Sequence, residues 1–513
     1  MQALAAHSEH AFDPARHGLE RMVGFLQSRE SWTMKHSELE RWIAKEGREV
    51  MRQLLQAHLD LRGPAEAVEE VRDADGGERD IGRLHERSLA TVFGAVTVER
   101  FGYRSCSKGQ ESLHPVDGEL NLPVERYSLE LRRCVAEQAA KSSFEETKQT
   151  LEATTGSAVP KRQVEELVAR AGNAEDFDQF YATHAPAEGP SGELQVITSD
   201  GKGVVMRRED LREATKKAAE RSRHKLGKRL SQGEKRNRKR MATVAAVYTI
   251  APFVRTPEQI AGEMAPVHAA ERTQRPRPEH KRVWASLEKS PEQVIEEEFQ
   301  EAERRDPEHE KKWVAVVDGN EEQLRLLHTL ARRHSVALTI VLDIIHVVEY
   351  LWKAAYVFHA QATPEAEQWV SERLLQILEG RAGYVAGGIA RSATRRRIRR
   401  TKRKAADDCV RYLLRHKAYL HYDKYLAAGF PIASGVIEGA CRHLVRDRMD
   451  VTGARWSLEG AEAVLRLRAL RSSGDFDEYW RFHEARELER NHLAAYADGC
   501  LPRTRNSHLT VVK

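Results

Sequence analysis

Two Asp-Gly pairs, an Asp-x-x-His and a distant glutamate are the groups in this 513-residue chain whose chemistry would matter if folding brought them together. Asp200-Gly201 follows the apolar run Leu194 to Ser199, and Asp318-Gly319 follows Trp313 to Val317. Asp343 follows Ala337 to Leu342, with His346 three residues on. Glu438 lies in Ser434-Gly435-Val436-Ile437-Glu438-Gly439-Ala440-Cys441-Arg442-His443-Leu444-Val445-Arg446-Asp447-Arg448. There Ile437, Cys441, Leu444 and Val445 share one helical face, while Glu438, Arg442 and Arg446 fall four apart on another. A carboxylate followed by cations suits a place where metal and phosphate meet. Cutting or transferring a phosphodiester requires neutralised phosphoryl oxygens, an activated hydroxyl and a stabilised leaving oxygen. Two Mg²⁺ ions about 3.5–4 Å apart serve all three needs. Mg²⁺ takes hard oxygen ligands and keeps several waters, so a few carboxylates suffice, and Mn²⁺ is its natural substitute. The acids assigned to metal and catalysis are Asp200, Asp318 and Glu438. Each has a plainer reading. Asp-Gly is an ordinary turn pair, Asp343 stands where a helix N-cap belongs, and Glu438 in a first turn complements the helix dipole. The joint pattern, more than any member, argues for a site.

The elements that must position these acids change character along the chain. Residues 1–62 are amphipathic and helical, with Leu19, Met22, Val23 and Leu26, then Ile43, Val50, Met51, Leu54 and Leu55 at helical spacing. Gly63-Pro64 breaks that pattern and an acidic loop follows over 64–80. Thr91 to Tyr103 alternates and is rich in β-branched and aromatic residues, which predicts a small hairpin. From 127 to 171 the chain is helical again. Ser143-Phe144 opens one helix, Thr155-Gly156-Ser157 breaks it, and Pro160 opens a second with Lys161 and Arg162 at its exposed start. These two helices have the outline of a helix-turn-helix within a 90–184 DNA-binding region, although any helical hairpin with a solvated face shares it. The linker 185–192 (APAEGPSG) divides this N-terminal part from the remainder of the chain.

After the linker the chain predicts strands at 194–199, 203–206, 241–253, 313–317 and 337–342. Helices with acidic faces are expected over 257–305, a helix over 321–333, and a loop over the cation-rich 207–241. A long helical region fills 344–430, and further helices carry Glu438 and residues 458–470. The strand order with acids at the first strand, the fourth strand and a late helix matches an RNase H-like fold. The expected architecture is an α/β core with a mixed five-stranded sheet, a large helical insertion, and a mainly helical N-terminal region containing a small β hairpin. The implied divisions are 193–343 for the first part of the core, 344–430 for the insertion, 431–472 for the glutamate helix and 473–513 for a tail.

Lys+Arg total 83 against 78 Asp+Glu, a formal net charge of +5. So mild a balance leaves the argument to distribution: cations bunch at 202–241 and 391–404, which suggests a polyanion gripped at chosen places. The five cysteines are scattered, never C-x-x-C, which disfavours zinc knuckles and a disulfide framework and fits a reducing cytosol. No apolar run approaches a membrane span, and no signal-peptide core begins the chain.

In these residues the chain resembles bacterial insertion-sequence transposases of the DDE type, nearest the ISKra family and related to the Mutator-like group. The matching stretches are Thr198-Ser199-Asp200-Gly201-Lys202-Gly203, Val316-Val317-Asp318-Gly319, Leu342-Asp343-Ile344-Ile345-His346 and Ser434-Gly435-Val436-Ile437-Glu438-Gly439. Arg455-Trp456-Ser457, Gly460-Ala461-Glu462-Ala463, Leu467-Arg468-Ala469-Leu470, Phe93-Gly94 through Arg100, and Leu122-Pro123 also fit. The resemblance spans about 90 to 470. It implies metal-dependent cleavage of double-stranded DNA at the terminal inverted repeats of a mobile element, then attack of the freed 3′-hydroxyl on target DNA. It also implies a homo-oligomer assembled on DNA and a cytoplasmic, nucleoid-associated setting. Related transposases carry a C/D-x-x-H signature after the second acid, matched here by Asp343 and His346, so Asp343 is an alternative to Asp318 as second ligand. The run 391–404, with Arg395, Arg396, Arg397, Arg399, Arg400, Lys402, Arg403 and Lys404, is expected to grip DNA phosphates. Arg442, Arg446, Arg448 and Trp456 are candidates for DNA contact near the cut. The alternatives are a domesticated DNA binder whose acids are unused, and an RNase H-like nuclease. The intact acid trio disfavours the first; the long N-terminal region and the insertion disfavour the second.

Overall fold

The computed structural model describes residues 10–105, 110–184, 191–221, 238–264 and 275–505. Two compact units emerge: 1–182 together with 475–513, and 183–474.

The first unit is helical around one long hairpin. Helices Asp13–Leu26 and His36–Arg62 lead into strands Glu78–Thr91 and Gly94–Ser105. The expected hairpin at 91–103 is therefore only its turn and second strand. The turn falls at Val92-Phe93, and the first strand extends back to Glu78, into what the charge pattern marks as loop. Helices Phe144–Thr154 and Lys161–Ala171 come later, the former opened by a Ser143/Glu146 capping box. The residues expected as a tail contribute the helix Phe476–Asn491 to this same unit. Its His483 meets the buried Asp176 at 2.6 Å, and its Glu487 meets the fully buried Arg132 at 2.6 Å. Buried charges on a facing helix hold the end of the chain here.

The second unit is a mixed α/β layer structure. Strand β1 (Leu194–Val205) runs antiparallel to β2 (Lys239–Ile250), and β2 antiparallel to β3 (Glu279–Ser286). On its other side β1 is parallel to β4 (Lys312–Val317), which is parallel to β5 (Leu338–Leu342). The sheet order is β3-β2-β1-β4-β5. Helix α1 (Glu213–Arg221) lies between β1 and β2, α2 (Pro291–Arg305) precedes β4, and α3 (Glu321–Arg333) joins β4 to β5. Helices α4 (Ile344–Phe358), α5 (Pro364–Leu378), α6 (Ala382–Arg395) and α7 (Arg400–Arg415) come next. The last two that bear on the site are α8 (Gly435–Ala440) and α9 (Leu458–Ser473).

The sequence predicts five strands and the sheet has five, but two differ. Residues 203–206 are not a separate strand. β1 runs unbroken through Asp200-Gly201 because β2 supplies a partner for every residue from Leu194 to Val205. A strand, β3, replaces helix at 279–286, where Arg282 is satisfied by Glu301 at 2.5 Å and stacks on Trp284. Within the described part of 207–241, residues 207–212 are the expected loop, while Glu213–Arg221 form α1 and β2 begins at Lys239.

Both faces of the sheet are covered. On one, Leu194, Val196, Val314, Val316 and Val341 pack with α4–α7 residues such as Leu351, Trp369, Ile377, Ala386 and Leu413. Burial on both sides explains why β4 is continuously apolar. β5 is a sheet edge, and tyrosines of the insertion cover it. Tyr422 donates its hydroxyl to the Leu342 carbonyl at 2.7 Å, and Tyr425 to that of Ile340 at 3.3 Å. Behind the sheet, Phe299 of α2 is fully buried between Trp313 and the His334 ring. Phe299→Ala should cost the second unit about 3–5 kcal/mol through lost contacts and a cavity. Urea unfolding followed by tryptophan fluorescence measures it, and a loss under about 1 kcal/mol would contradict this packing.

Candidate active site

Strand alternation decides where the acids face. Val196, Val316 and Val341 point into the core shared with the insertion, and residues two or four farther along point the same way. Those residues are Asp200, Asp318 and Asp343. β1 and β4 pair as Ile197↔Ala315, an offset that three residues later sets Asp200 level with Asp318. β4 and β5 pair up to Val317↔Leu342, so Asp318 is level with Asp343. Three aspartates thus form a row across three neighbouring parallel strands.

Each leaves the core differently. Asp200 follows six buried residues and is half-buried. One carboxylate oxygen accepts from the Gly201 N–H at 2.6 Å; the other accepts from the Cys441 thiol at 3.3 Å. Asp318, also half-buried, accepts the Asn320 N–H at 2.8 Å, and its carbonyl accepts the Tyr412 hydroxyl at 2.9 Å. Asn320 in turn caps α3. Gly319 adopts φ +92°, and a Cβ there would meet Leu342 at 2.9 Å and His416 at 3.2 Å, so the tight exit requires glycine. An open cavity of about 320 Å³ is lined by Asp200 and Asp318 together with Ser199, Met241, Asn320 and Gln323.

Asp343 is fully buried. It caps α4 by accepting the Ile345 N–H at 2.8 Å, and its other oxygen accepts both the N–H, at 3.3 Å, and the hydroxyl of Ser434. Ser434 therefore does not cap α8 through its side chain; it is spent on Asp343. That bond carries α8 to the strand ends. Four residues on, Glu438 titrates above its ordinary value, first through partial burial, then through the charge of Asp343. Asp200 and Glu349 push in the same direction, and His346 opposes them. Glu438, Asp343, Asp200, Glu349 and His346 therefore share one electrostatic field. The charge of Asp318 acts instead on Tyr412 and His416.

Cys441 carries no charge in the sequence pattern, where it reads only as part of an apolar face. Burial, and then the charge of Asp200, push its thiol far up, so it stays a neutral donor. The helical pattern sets Cys441 with Ile437 and Leu444 and away from Glu438, so its spacing gives no signal of this role. Tyr412 and His416, from the insertion, have no local signal at all. Cys441–Arg446 forms a π-helical turn, which breaks the expected Glu438–Arg442–Arg446 stripe. Arg442 is exposed and lies 3.8 Å from Asp447, and Arg446 borders a cavity with Lys239, Asp447 and Asp450.

Two expected DNA contacts are corrected. Trp456 is 5% exposed, donates Nε1 to the Met449 carbonyl at 3.1 Å, and carries the Arg448 guanidinium 4.7 Å above its ring. Arg448 is 3% exposed. Ring and guanidinium are buried on each other, so neither offers a face to a ligand. The run 391–404 is largely exposed: Arg395, Arg396, Arg397, Arg399, Arg400, Lys402 and Lys404 reach solvent around the α6–α7 turn, and Arg403 pairs with Asp407 at 2.9 Å. Arg399, Arg400 and Lys402 crowd the N-terminal end of α7, where the helix dipole disfavours cations. In the first unit Lys161 and Arg162 are exposed, and Arg162 pairs with Glu166 at 3.1 Å.

Among the described residues no group of three His, Cys, Asp or Glu side chains is arranged to hold a metal ion, and no helix is long and apolar enough to cross a membrane. No protein-family model matches the chain, and no curated protein matches it. Among solved structures it is similar to a Drosophila P element transposase strand transfer complex, at 9% identity and a TM-score of 0.25, over 75% of this chain and 84% of that one.

The raised titration of Glu438 yields a stability test. Without divalent ions its ionised form is disfavoured by folding, so its contribution is favourable at low pH and is lost as pH rises through its raised pKa. Glu438→Gln should therefore melt higher than the wild type at neutral pH in EDTA, the gap closing on acidification. Equal melting temperatures throughout would contradict the shared field.

Proposed function

We propose that this protein is a DNA transposase of the DDE type, built on an RNase H-like core and related to the ISKra insertion-sequence family. The observation that carries the reading is the row of aspartates on adjacent parallel strands with Glu438 in the electrostatic field of two of them. The order β3-β2-β1-β4-β5, antiparallel on one side of β1 and parallel on the other, supports the core assignment.

The donor set suits Mg²⁺ or Mn²⁺. The acids offer hard oxygens, the nearby Cys441 sulfur stays protonated, and the acid repulsion that adds to burial in raising Glu438 is what a cation relieves. Asp200 and Asp318, which line one cavity, would hold two such ions together with Glu438 once its side chain closes on them, since the three are not gathered as ligands among the described residues. When bound, the ions supply charge neutralisation at the phosphoryl group and activation of the attacking hydroxyl.

The chain's own residues do the positioning. The Gly201 N–H and the Cys441 thiol fix both oxygens of Asp200. The Asn320 N–H fixes the carboxylate of Asp318, and the Tyr412 hydroxyl its backbone carbonyl. Asp343 is the positioning acid: it is fully buried on Ile345 and Ser434, whereas Asp318 lines the open cavity with Asp200, which favours Asp318 as the second ligand. The exposed cations at 395–404 grip duplex backbone through counterion release, and Lys161 and Arg162 do so from the first unit. Substrates are the element's terminal repeats and target DNA, handled by an assembly of several copies in the cytoplasm at the nucleoid.

Asp200→Asn, Asp318→Asn and Glu438→Gln should each abolish Mg²⁺-dependent nicking of element-end duplexes while retaining binding in a gel-shift assay. Asp343→Asn should lower thermal stability as well as activity. Cleavage persisting in the Glu438 variant would refute the assignment.

A further inference from the structure

At the far end of β1 three chain segments converge. The Met206 N–H donates to the Arg238 carbonyl at 2.9 Å. The Trp456 N–H donates to the Val205 carbonyl at 3.1 Å, and the Arg207 N–H to the Trp456 carbonyl at 2.7 Å. Trp456 is itself a plug, buried beneath Arg448 and bonded to Met449. The sequence offers this tryptophan as a DNA contact; in the structure it fastens the 454–457 loop to the strand end.

That fastening sets Arg455 beside Arg207, Arg208 and Arg238. The four line one cavity of about 320 Å³, and Glu209 is the one acid among the described residues lining it. Arg207, Arg208 and Arg455 are exposed and Arg238 half-buried. Arg208 meets Glu220 at 3.0 Å, so the acids at hand offset only part of the charge. Across Val205 a second cavity sets Lys239 and Arg446 beside Asp447 and Asp450, a lining balanced in charge, so the excess of cations is confined to the arginine cavity. Guanidinium groups held together by buried backbone bonds repel one another unless an anion lies between them. Their planar forks match the paired oxygens of a phosphate.

The strand gives the register. Val205 is five residues beyond Asp200, about 17 Å at the strand rise, which spans about five nucleotides of a duplex laid along β1. We infer that the cavity formed by Arg207, Arg208, Arg238 and Arg455 binds a backbone phosphate of duplex DNA about five nucleotides from the phosphodiester at Asp200. The register rests on the reading of Asp200 as a residue of the cutting site; the phosphate site does not.

The test uses the full-length protein and fluorescein-labelled duplex DNA in EDTA, with affinity measured across a chloride series. Arg207→Gln/Arg455→Gln removes two exposed guanidiniums and leaves the Trp456 plug intact; circular dichroism and melting temperature check the fold. The slope of log K against log salt should become shallower by about two. Arg207→Lys/Arg455→Lys should restore the slope. Single methylphosphonate substitutions three to seven nucleotides from the cut should weaken wild-type binding near the fifth position and leave the Gln variant indifferent. An unchanged slope in a folded Gln variant overturns the site, and methylphosphonate insensitivity at all these positions overturns the register. Inorganic phosphate displacing DNA far better than chloride at equal ionic strength would assign the cavity to free phosphate and overturn the DNA proposal. Normal cleavage with an unchanged slope sinks this cavity alone. A shallower slope in a protein that cuts no DNA in any divalent metal sinks the transposase reading and leaves the phosphate site standing.

Discussion

The bond between Asp343 and Ser434 is the constraint on which the site depends. A carboxylate removed from water must have its oxygens satisfied or it destabilises the fold severely. Asp343 lies at the carboxyl end of β5 with no exposed surface, and it meets that demand with the Ile345 N–H and with both donors of Ser434. The first of these starts α4 and so launches the helical insertion. The second pins the residue before α8. Glu438 reaches the strand ends because a buried charge on the sheet needed a partner from the next segment.

The same arrangement concentrates negative charge. Burial, then the charges of Asp343 and Asp200, raise Glu438 while His346 opposes them, and the neutral thiol of Cys441 donates to Asp200. A fold selected for stability alone would place apolar or oppositely charged groups there. The basic surfaces show the same conflict with the opposite sign. Arg399, Arg400 and Lys402 sit at the wrong end of a helix dipole, and four arginines surround one cavity. Acidic and basic clusters, each unfavourable alone, are where a fold departs from what stability alone would favour.

The parts of the fold legible in the sequence are those whose local pattern agrees with their tertiary setting. Helix 321–333 shows its apolar face at helical spacing and a capping asparagine, and its bounds match. The β4 strand is apolar throughout because both faces are buried. Elements whose pattern is completed from afar mislead. Asp200-Gly201 looks like a turn until β2 is seen to pair with it, and β3 opens with Glu279, His280, Lys281 and Arg282, charges that Glu301 helps to satisfy from α2. Candidate site residues divide in the same way. The aspartates are visible because apolar strands end near them. Cys441, Tyr412 and His416 are not, since their meaning lies in contacts made across the fold. Arg448 and Trp456 look like ligand contacts because basic and aromatic side chains often are; nothing in the sequence says that they cover each other.

Anomalous diffraction from crystals of the full-length protein soaked in Mn²⁺ tests the central claim, that distant acids form one metal pocket. The account predicts peaks at ligating distance from Asp200, Asp318 and Glu438, with Asp343 still bonded to Ser434. Peaks on Asp343 and His346 that leave Asp318 bare, or no peak near Asp200, would contradict it.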